Sequence, residues 1–129
     1  MTASTVQAAG VDAALRWIDI CGLDDLPYDA GVAALLELGD GGTRQIALFR
    51  IEDSEQVHAI ANRDPFSGAN VLGRGILCWI QGEPAVASPV LKQHFLLRTG
   101  RCIEDDSVAI DVFPVRVRNG RVTVGVAGP

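Results

Sequence analysis

The sequence contains few thiols and imidazoles, the side chains best suited to nucleophilic catalysis and to binding transition metals. It contains three cysteines, Cys21, Cys78 and Cys102, and two histidines, His58 and His94. The cysteines are odd in number and form no Cys-x-x-Cys pair, so they predict neither a zinc site nor a disulfide framework. His94 could donate a proton near a redox centre, but a structural histidine at the surface or partly buried is the commoner case. The sequence therefore contains no self-evident catalytic group.

Two segments stand out because each places a proline beside a polar residue in a predicted loop. The first, 62–69, contains Asp64-Pro65, and the second, 87–95, contains Ser88-Pro89. An aspartate in such a loop most often accepts backbone amides in a turn, although Asp64 could instead be a metal ligand or an electrostatic contact. Both segments follow predicted strands. Two proline-fixed loops of this kind could meet at one tip.

The bulk properties of the chain limit the classes of protein to which it can belong. Its 129 residues, 48% hydrophobic and 21% charged, fit one globular domain with one sizeable core. The net charge of −5 argues against nucleic acid as a partner, because phosphate binding needs a basic surface. No apolar run approaches the ~18 residues of a membrane-spanning helix, and the N-terminus lacks the basic region of a secretion signal. We therefore expect a cytoplasmic protein with no membrane partner.

The elements that would position the two loops are short strands. Residues 1–14 are small, polar and rich in alanine, which predicts a flexible N-terminal extension ahead of a domain spanning 15–129. From Trp17 onward, short apolar or alternating runs are broken by turn residues, a pattern typical of an all-β domain. The predicted strands before the C-terminal region are 17–20, 32–38, 45–51, 57–61, 75–80, 85–88 and 95–97.

A β-hairpin near the C-terminus is the most specific local prediction. Residues 112–118 and 121–124 alternate apolar and polar side chains, and Asn119-Gly120 between them suits the two positive-φ positions of a type I′ turn. Pro114 has no amide donor, so its strand should lie at a sheet edge or turn that position outward. Residues 39–42 and 98–101 predict two further turns.

The two loops resemble those of the Rieske domain. In that family the motifs Cys-Pro-His-x-Gly-Ala and Cys-Pro-x-His-x-x-x-Phe supply two cysteines and two histidines to a [2Fe–2S] cluster. The other motif residues are retained here as Pro65, Gly68, Ala69, Pro89 and Phe95. The resemblance covers about 17–126 and implies an antiparallel β sandwich or barrel with a two-loop tip.

All four ligand positions of those motifs hold other residues, namely Asp64, Phe66, Ser88 and Leu91. Phe66 and Leu91 have no lone pair, Ser88 is a neutral hydroxyl, and Asp64 is a hard oxygen donor suited to other ions. The sequence therefore predicts a Rieske-type fold with no cluster, no metal and no catalytic residue. Phe66 and Leu91 could be exposed anchors for a partner, or they could pack together and fill the space of a cluster.

A narrower resemblance is to the small subunit of assimilatory NAD(P)H-dependent nitrite reductase. It is carried by residues 31–35, 45–50, 64–69, 71–75, 88–89, 92–95 and 113–117. The resemblance implies an accessory subunit without a cofactor that binds a large catalytic subunit. It also implies that this partner carries FAD, a [4Fe–4S] cluster and sirohaem, and reduces nitrite to ammonium in nitrate assimilation. The sequence departs from the family pattern at two places. An aromatic residue is common at 90–91, and an acidic residue is common at the position of Leu96.

The distribution of charge suggests where such a subunit would bind. Between residues 63 and 101 there are five basic and two acidic residues, a balance of +3, while the rest of the chain totals −8. A basic tip on an acidic body would orient the protein as it approaches a partner, although solvated charges without a role could be distributed in the same way. The residues of this docking hypothesis are Arg63, Asp64, Pro65, Phe66, Arg74, Lys92, Gln93 and His94.

Two other functions remain open from the sequence. One is a Rieske-type ferredoxin that carries electrons to an oxygenase, against which the missing ligands count. The other is a stand-alone protein-binding module with no reductase partner.

Overall fold

The computed structural model describes residues 15–39, 41–52 and 54–127. The predicted extension 1–14, and Asp40 in the predicted turn 39–42, lie outside these ranges. The described chain is nearly all β and antiparallel, as predicted from its short apolar runs. Its ten strands are β1 (Leu15–Gly22), β2 (Gly31–Glu37), β3 (Thr43–Arg50), β4 (Val57–Ala61), β5 (Ile76–Ile80), β6 (Glu83–Ala87), β7 (His94–Leu96), β8 (Val112–Phe113), β9 (Val115–Arg118) and β10 (Arg121–Ala127).

These strands form three sheets, with the orders β1-β10-β9, β2-β3-β4-β8 and β5-β6-β7. Two 3₁₀ turns, Leu23–Asp25 and Leu72–Arg74, were not predicted. A turn of three residues is too short to produce a helical period in the sequence. None of the helices in the described ranges is long and apolar enough to cross a membrane.

The sheet β2-β3-β4-β8 is the middle layer between two hydrophobic cores. In β3, Ala47 and Phe49 pack into one core together with Val86 and Phe95 of the sheet β5-β6-β7. The alternate residues of β3, Ile46 and Leu48, pack into the other core together with residues of β10. Because side chains alternate across a strand, a strand with two buried faces needs an unbroken apolar run. The segment 46–49 is such a run.

The prediction of one continuous strand over 112–118 is wrong. β8 pairs with β4 in the central sheet, whereas β9 pairs with β10 in another sheet. Pro114 lies between them and has no amide to continue a ladder, so the chain changes sheets at this residue. Its carbonyl accepts the Gly125 amide, with an N–O distance of 2.9 Å.

The C-terminal hairpin is confirmed, and β9 lies at the edge of its sheet, whereas Pro114 itself belongs to neither β8 nor β9. Asn119 and Gly120 have φ values of 53° and 74°, as a type I′ turn demands. A second turn of this kind, which we did not predict, joins β5 to β6 through Gln81 and Gly82, with φ values of 50° and 81°. Gln-Gly lacks the Asn or Asp that usually marks the first position.

Candidate functional site

The two proline loops meet, as predicted, at a buried hydrogen bond between the former thiolate positions. The Ser88 hydroxyl donates to Asp64 Oδ2 at 2.6 Å. Both residues are enclosed, with exposed fractions of 0% for Asp64 and 1% for Ser88. A short hydrogen bond to a carboxylate is among the stronger contacts in a folded protein. The pair therefore joins the β4–β5 connection to the β6–β7 connection.

Asp64 also organises its own loop. Its Oδ1 accepts the Phe66 amide at 2.9 Å, so the interpretation of Asp64 as a turn residue is confirmed. Its backbone carbonyl accepts the Gly68 amide, and its amide donates to the Ala69 carbonyl, both at 2.8 Å. The loop is closed on itself by these bonds. Because the carboxyl is buried, it contacts Ser88 and the loop, and the surface of the tip is formed by its neighbours.

The pKa of the Asp64 carboxyl lies below its ordinary value. Burial by itself would raise this pKa, but the hydrogen bonds donated by Ser88, by the Phe66 amide and by Ser67 outweigh it. Asp64 is therefore a buried carboxylate at neutral pH, held in its charged form by surrounding donors.

The second loop is fixed by Ser88 in a similar manner. The Ser88 amide donates to the Gln93 carbonyl at 2.9 Å, and the Ser88 carbonyl accepts the Lys92 amide at 3.1 Å. Lys92 adopts a φ of 70°, which turns the chain back toward β7. The hydroxyl oxygen of Ser88 also accepts a hydrogen bond from the Val90 amide at 3.3 Å. Both loops are thus built around the same hydrogen-bonded pair.

The two former histidine positions have different environments. Phe66 is half-buried and packs against the core that contains Phe95, with 6.2 Å between the ring centroids. Leu91 is 50% exposed, and the neighbouring Val90 is exposed as well. Phe66 therefore packs against the core and Leu91 is exposed, and the role of Leu91 as an anchor for a partner stays a prediction.

The donor set of the tip does not fit a [2Fe–2S] cluster. Such a centre needs two thiolates and two imidazoles, whereas Asp64 and Ser88 are hydrogen-bonded to each other and Phe66 and Leu91 are hydrocarbon. Among the residues that the structure describes, no group of three or more His, Cys, Asp or Glu side chains is placed to hold a metal ion. No step of electron transfer is therefore assigned to this chain.

The five basic side chains of the segment 63–101 fall into two groups. Arg98 is paired with Glu83 and Arg101 with Asp106, each at 2.8 Å. Within the described ranges, three other basic side chains of the segment 63–101 are exposed and have no ion pair: Arg63, Arg74 and Lys92.

The remaining residues of the docking hypothesis belong to the two loops that contain Arg63 and Lys92, or directly follow them in the chain. Pro65 is exposed and Gln93 is half-buried. His94 is half-buried too; its amide donates to Glu104 Oε1 at 2.8 Å and its ring contacts the other oxygen of that carboxylate. His94 thus has a structural partner in Glu104, which the sequence did not predict because ten residues separate the two.

The fold and the tip together define a Rieske-like domain. The family model described as a Rieske-like [2Fe-2S] domain matches residues 16–125. The chain belongs, within that class, to the family of nitrite reductase small subunits. It is 45% identical over 107 residues to the nitrite reductase (NADH) small subunit of Escherichia coli K12, which covers 83% of this chain and 94% of that protein.

Two further comparisons bear on the structure and on the context of the domain. A crystal structure from Mycobacterium tuberculosis, described as an NADH-dependent nitrite reductase small subunit, has a TM-score of 0.81 at 43% identity and covers 89% of this chain and 98% of that one. The nitrite reductase [NAD(P)H] large subunit of Klebsiella oxytoca is 49% identical over 109 residues, which are 84% of this chain and 11% of that protein. A domain of this kind is therefore part of a large-subunit polypeptide in that relative.

Proposed function

We propose that this chain is an accessory, non-catalytic subunit of NAD(P)H-dependent nitrite reductase that docks on the large catalytic subunit through the two-loop tip. The observation that carries the proposal is the Klebsiella oxytoca relative, in which a 49% identical domain belongs to the large subunit itself. A domain covalently joined to the large subunit in one protein is a reasonable partner of that subunit when it is a separate chain in another. By family resemblance, the large subunit carries FAD, a [4Fe–4S] cluster and sirohaem, and the complex reduces nitrite to ammonium during nitrate assimilation in the cytoplasm.

The surface of the tip supports docking to a protein. Val90 and Leu91 are exposed apolar side chains, and the unpaired cations Arg63, Arg74 and Lys92 belong to the same pair of loops and the turn beside them. Protein interfaces commonly combine an apolar centre with a polar rim. In the proposed complex, the tip braces the catalytic subunit or limits access between its redox centres, and the buried hydrogen bond between Ser88 and Asp64 holds the two loops of the docking surface together.

Reversing the charge of two unpaired cations tests the docking surface. We expect Arg74→Glu with Lys92→Glu to raise the dissociation constant for the large subunit by about tenfold or more, because rim charges steer association and like charges oppose it. Binding is measured by calorimetry or surface plasmon resonance, and the effect should shrink as salt is added.

The matched control is the double variant Arg16→Glu with Arg118→Glu. It changes the net charge by the same amount, but both residues are exposed on the sheet β1-β10-β9, on the other side of the central sheet. We expect this variant to bind with nearly wild-type affinity. An equal loss in both double variants would show that only net charge matters, and wild-type affinity in the tip variant would remove the tip from the interface.

The visible spectrum of freshly purified protein discriminates the accessory subunit from a Rieske-type ferredoxin. We expect no iron–sulfur absorption and no stoichiometric iron when the protein is purified under anaerobic conditions, because the four ligand positions lack thiolates and imidazoles. The control is a cluster-containing Rieske ferredoxin purified in parallel. Iron–sulfur absorption in this protein would reject the accessory role, whereas a failed pull-down of the large subunit would favour a stand-alone binding module.

A further inference from the structure

The strand β5 forms an open edge of the sheet β5-β6-β7. At the opposite edge of that sheet, residues 101–102 pair with β7. Phe95 forms a β-bridge with Cys102, and the Leu96 amide donates to the Arg101 carbonyl at 2.9 Å. On the β5 side, no strand within the described ranges pairs with residues 76–80. One edge of the sheet is therefore covered and the other is open.

The composition of β5 differs from that of the other outer strands. Proteins commonly protect open edges with charged residues, because an unprotected edge pairs with other chains. β1, β2 and β9 contain charged residues, and β8 is only two residues long. β5 is Ile-Leu-Cys-Trp-Ile, without a charge. The charged residues of the protected strands are Arg16 and Asp19 in β1, Glu37 in β2, and Arg116 and Arg118 in β9.

The turn at Gln81-Gly82 determines which backbone groups of β5 are free. It joins Ile80 and Glu83, which are directly opposite each other. Residues that flank a two-residue hairpin turn exchange both hydrogen bonds, and such pairs alternate along the ladder. Ile76, Cys78 and Ile80 therefore bond to β6. The amides and carbonyls of the alternate residues, Leu77 and Trp79, point outward from the sheet.

The side chains at this edge are suited to a partner strand. Ile76 is 68% exposed and Trp79 is 50% exposed, and since they are three residues apart they lie on opposite faces of the sheet. The side chains of a strand added beside β5 could therefore contact apolar side chains on both faces of the sheet.

The edge is continuous with the tip. Ile76 is opposite Ala87, the residue before Ser88, and the unpaired Arg74 lies two residues before β5. The β5 edge of a second copy of this chain would offer Arg74 no unpaired carboxylate. β5 contains no acidic residue, and the adjacent Glu83 is already paired with Arg98. The net charge of −5 also opposes self-association.

We propose that β5 accepts an extended segment of the large catalytic subunit as a fourth strand of this sheet, with an acidic side chain of that segment beside Arg74. Main-chain hydrogen bonds to Leu77 and Trp79 would supply affinity, and contacts with Ile76 and Trp79 would supply selectivity. This inference rests on the proposed function, because it names how the same partner is held.

The test compares two substitutions of Trp79. Trp79→Pro removes both the indole and the outward amide, and it breaks no bond to β6, since that amide faces away from the sheet. Trp79→Thr removes the indole but keeps the amide in a residue that favours strands. We expect Trp79→Pro to bind the purified large subunit about tenfold more weakly than Trp79→Thr does.

The outcomes separate this inference from the proposed function. Equal affinities of the two variants would reject strand addition and leave docking through the tip intact. No binding of the wild-type chain would reject the proposed function and this inference with it. A wild-type dimer in sedimentation that Trp79→Pro abolishes would reassign the edge to a second copy and overturn the choice of partner.

Hydrogen exchange provides a measurement that depends on no variant. In the wild-type complex, the amides of Leu77 and Trp79 should exchange at least about tenfold more slowly than in the free chain, because they would be hydrogen-bonded to the added strand. The Cys78 amide, already bonded to β6, is the internal control and should change little. Unchanged exchange at Leu77 and Trp79 in a complex that does form would overturn the inference.

Discussion

Replacing Asp64 by alanine is expected to lower the free energy of unfolding by about 3 kcal/mol, because hydrogen bonds to a buried carboxylate are strong and their donors would remain without partners. The variant removes the acceptor of the Ser88 hydroxyl at 2.6 Å and of the Phe66 amide at 2.9 Å. Urea denaturation at neutral pH measures the loss. Because the pair joins the two loops, the same variant should also weaken binding to the large subunit.

The control for Asp64→Ala is Ser88→Ala, together with the double variant. Ser88→Ala removes one donor and leaves the carboxylate its amide donors, so we expect a smaller loss of about 1–2 kcal/mol. The double variant should lose less stability than the sum of the two single losses, because each single substitution removes the same Ser88–Asp64 hydrogen bond. A loss below about 1 kcal/mol for Asp64→Ala would contradict a stabilising role of the pair.

The pH dependence provides an independent check of the same carboxylate. Its pKa in the folded chain is lower than the ordinary value of about 3.9. The stability that Asp64 contributes should be complete above that ordinary value and should be lost as the pH falls through the folded pKa. The difference between the wild type and Asp64→Asn should accordingly decrease upon acidification.

The second large effect is expected from Gly100→Ala, which should cost more than about 3 kcal/mol of unfolding free energy. Gly100 has a φ of 79°, and a Cβ there would lie 2.0 Å from the Ile110 carbonyl oxygen. The backbone cannot easily withdraw, because the Gly100 carbonyl accepts the Ile110 amide at 2.9 Å and the Gly100 amide donates to Leu96 at 2.8 Å. Thermal unfolding followed by circular dichroism measures the loss.

Gly82→Ala is the matched control for that clash. Its φ of 81° is nearly the same, but a Cβ at Gly82 would meet nothing within 4 Å. This variant should therefore show only the cost of an alanine in the left-handed region, about 1 kcal/mol. If the two alanine variants lose the same stability, the close approach to Ile110 is not what makes glycine necessary at position 100.

Much of this fold could be predicted because its strands are short and have alternating or fully apolar patterns. Every predicted strand overlaps an observed one, and Asn119-Gly120 identified the hairpin turn. The strand predicted over 112–118 was wrong at Pro114. An alternating pattern reports which side chains are buried and says nothing about which neighbour supplies the hydrogen bonds, so the change of sheet at Pro114 could not be predicted from alternation alone.

The tip was predictable in its residues but only partly in its contacts. The retained prolines and glycines indicated two loops at one end, and the structure brings Asp64 and Ser88 together there. Local sequence could not show that these two would bond directly, because they are 24 residues apart. Nor could it separate the paired cations Arg98 and Arg101 from the unpaired Arg74, since ion pairing depends on which side chains the fold brings together.

The two ends of the described chain lie side by side on one outer sheet. Leu15 at the start of β1 is opposite Ala127 at the end of β10, so the described chain enters and leaves the domain at neighbouring points of one outer sheet. The open edge of β5 and the β6–β7 loop belong to the other outer sheet, across two cores. A peptide tether attached at the first sheet would therefore leave the open edge of β5 and the β6–β7 loop uncovered, so this domain could be joined to another chain without blocking them.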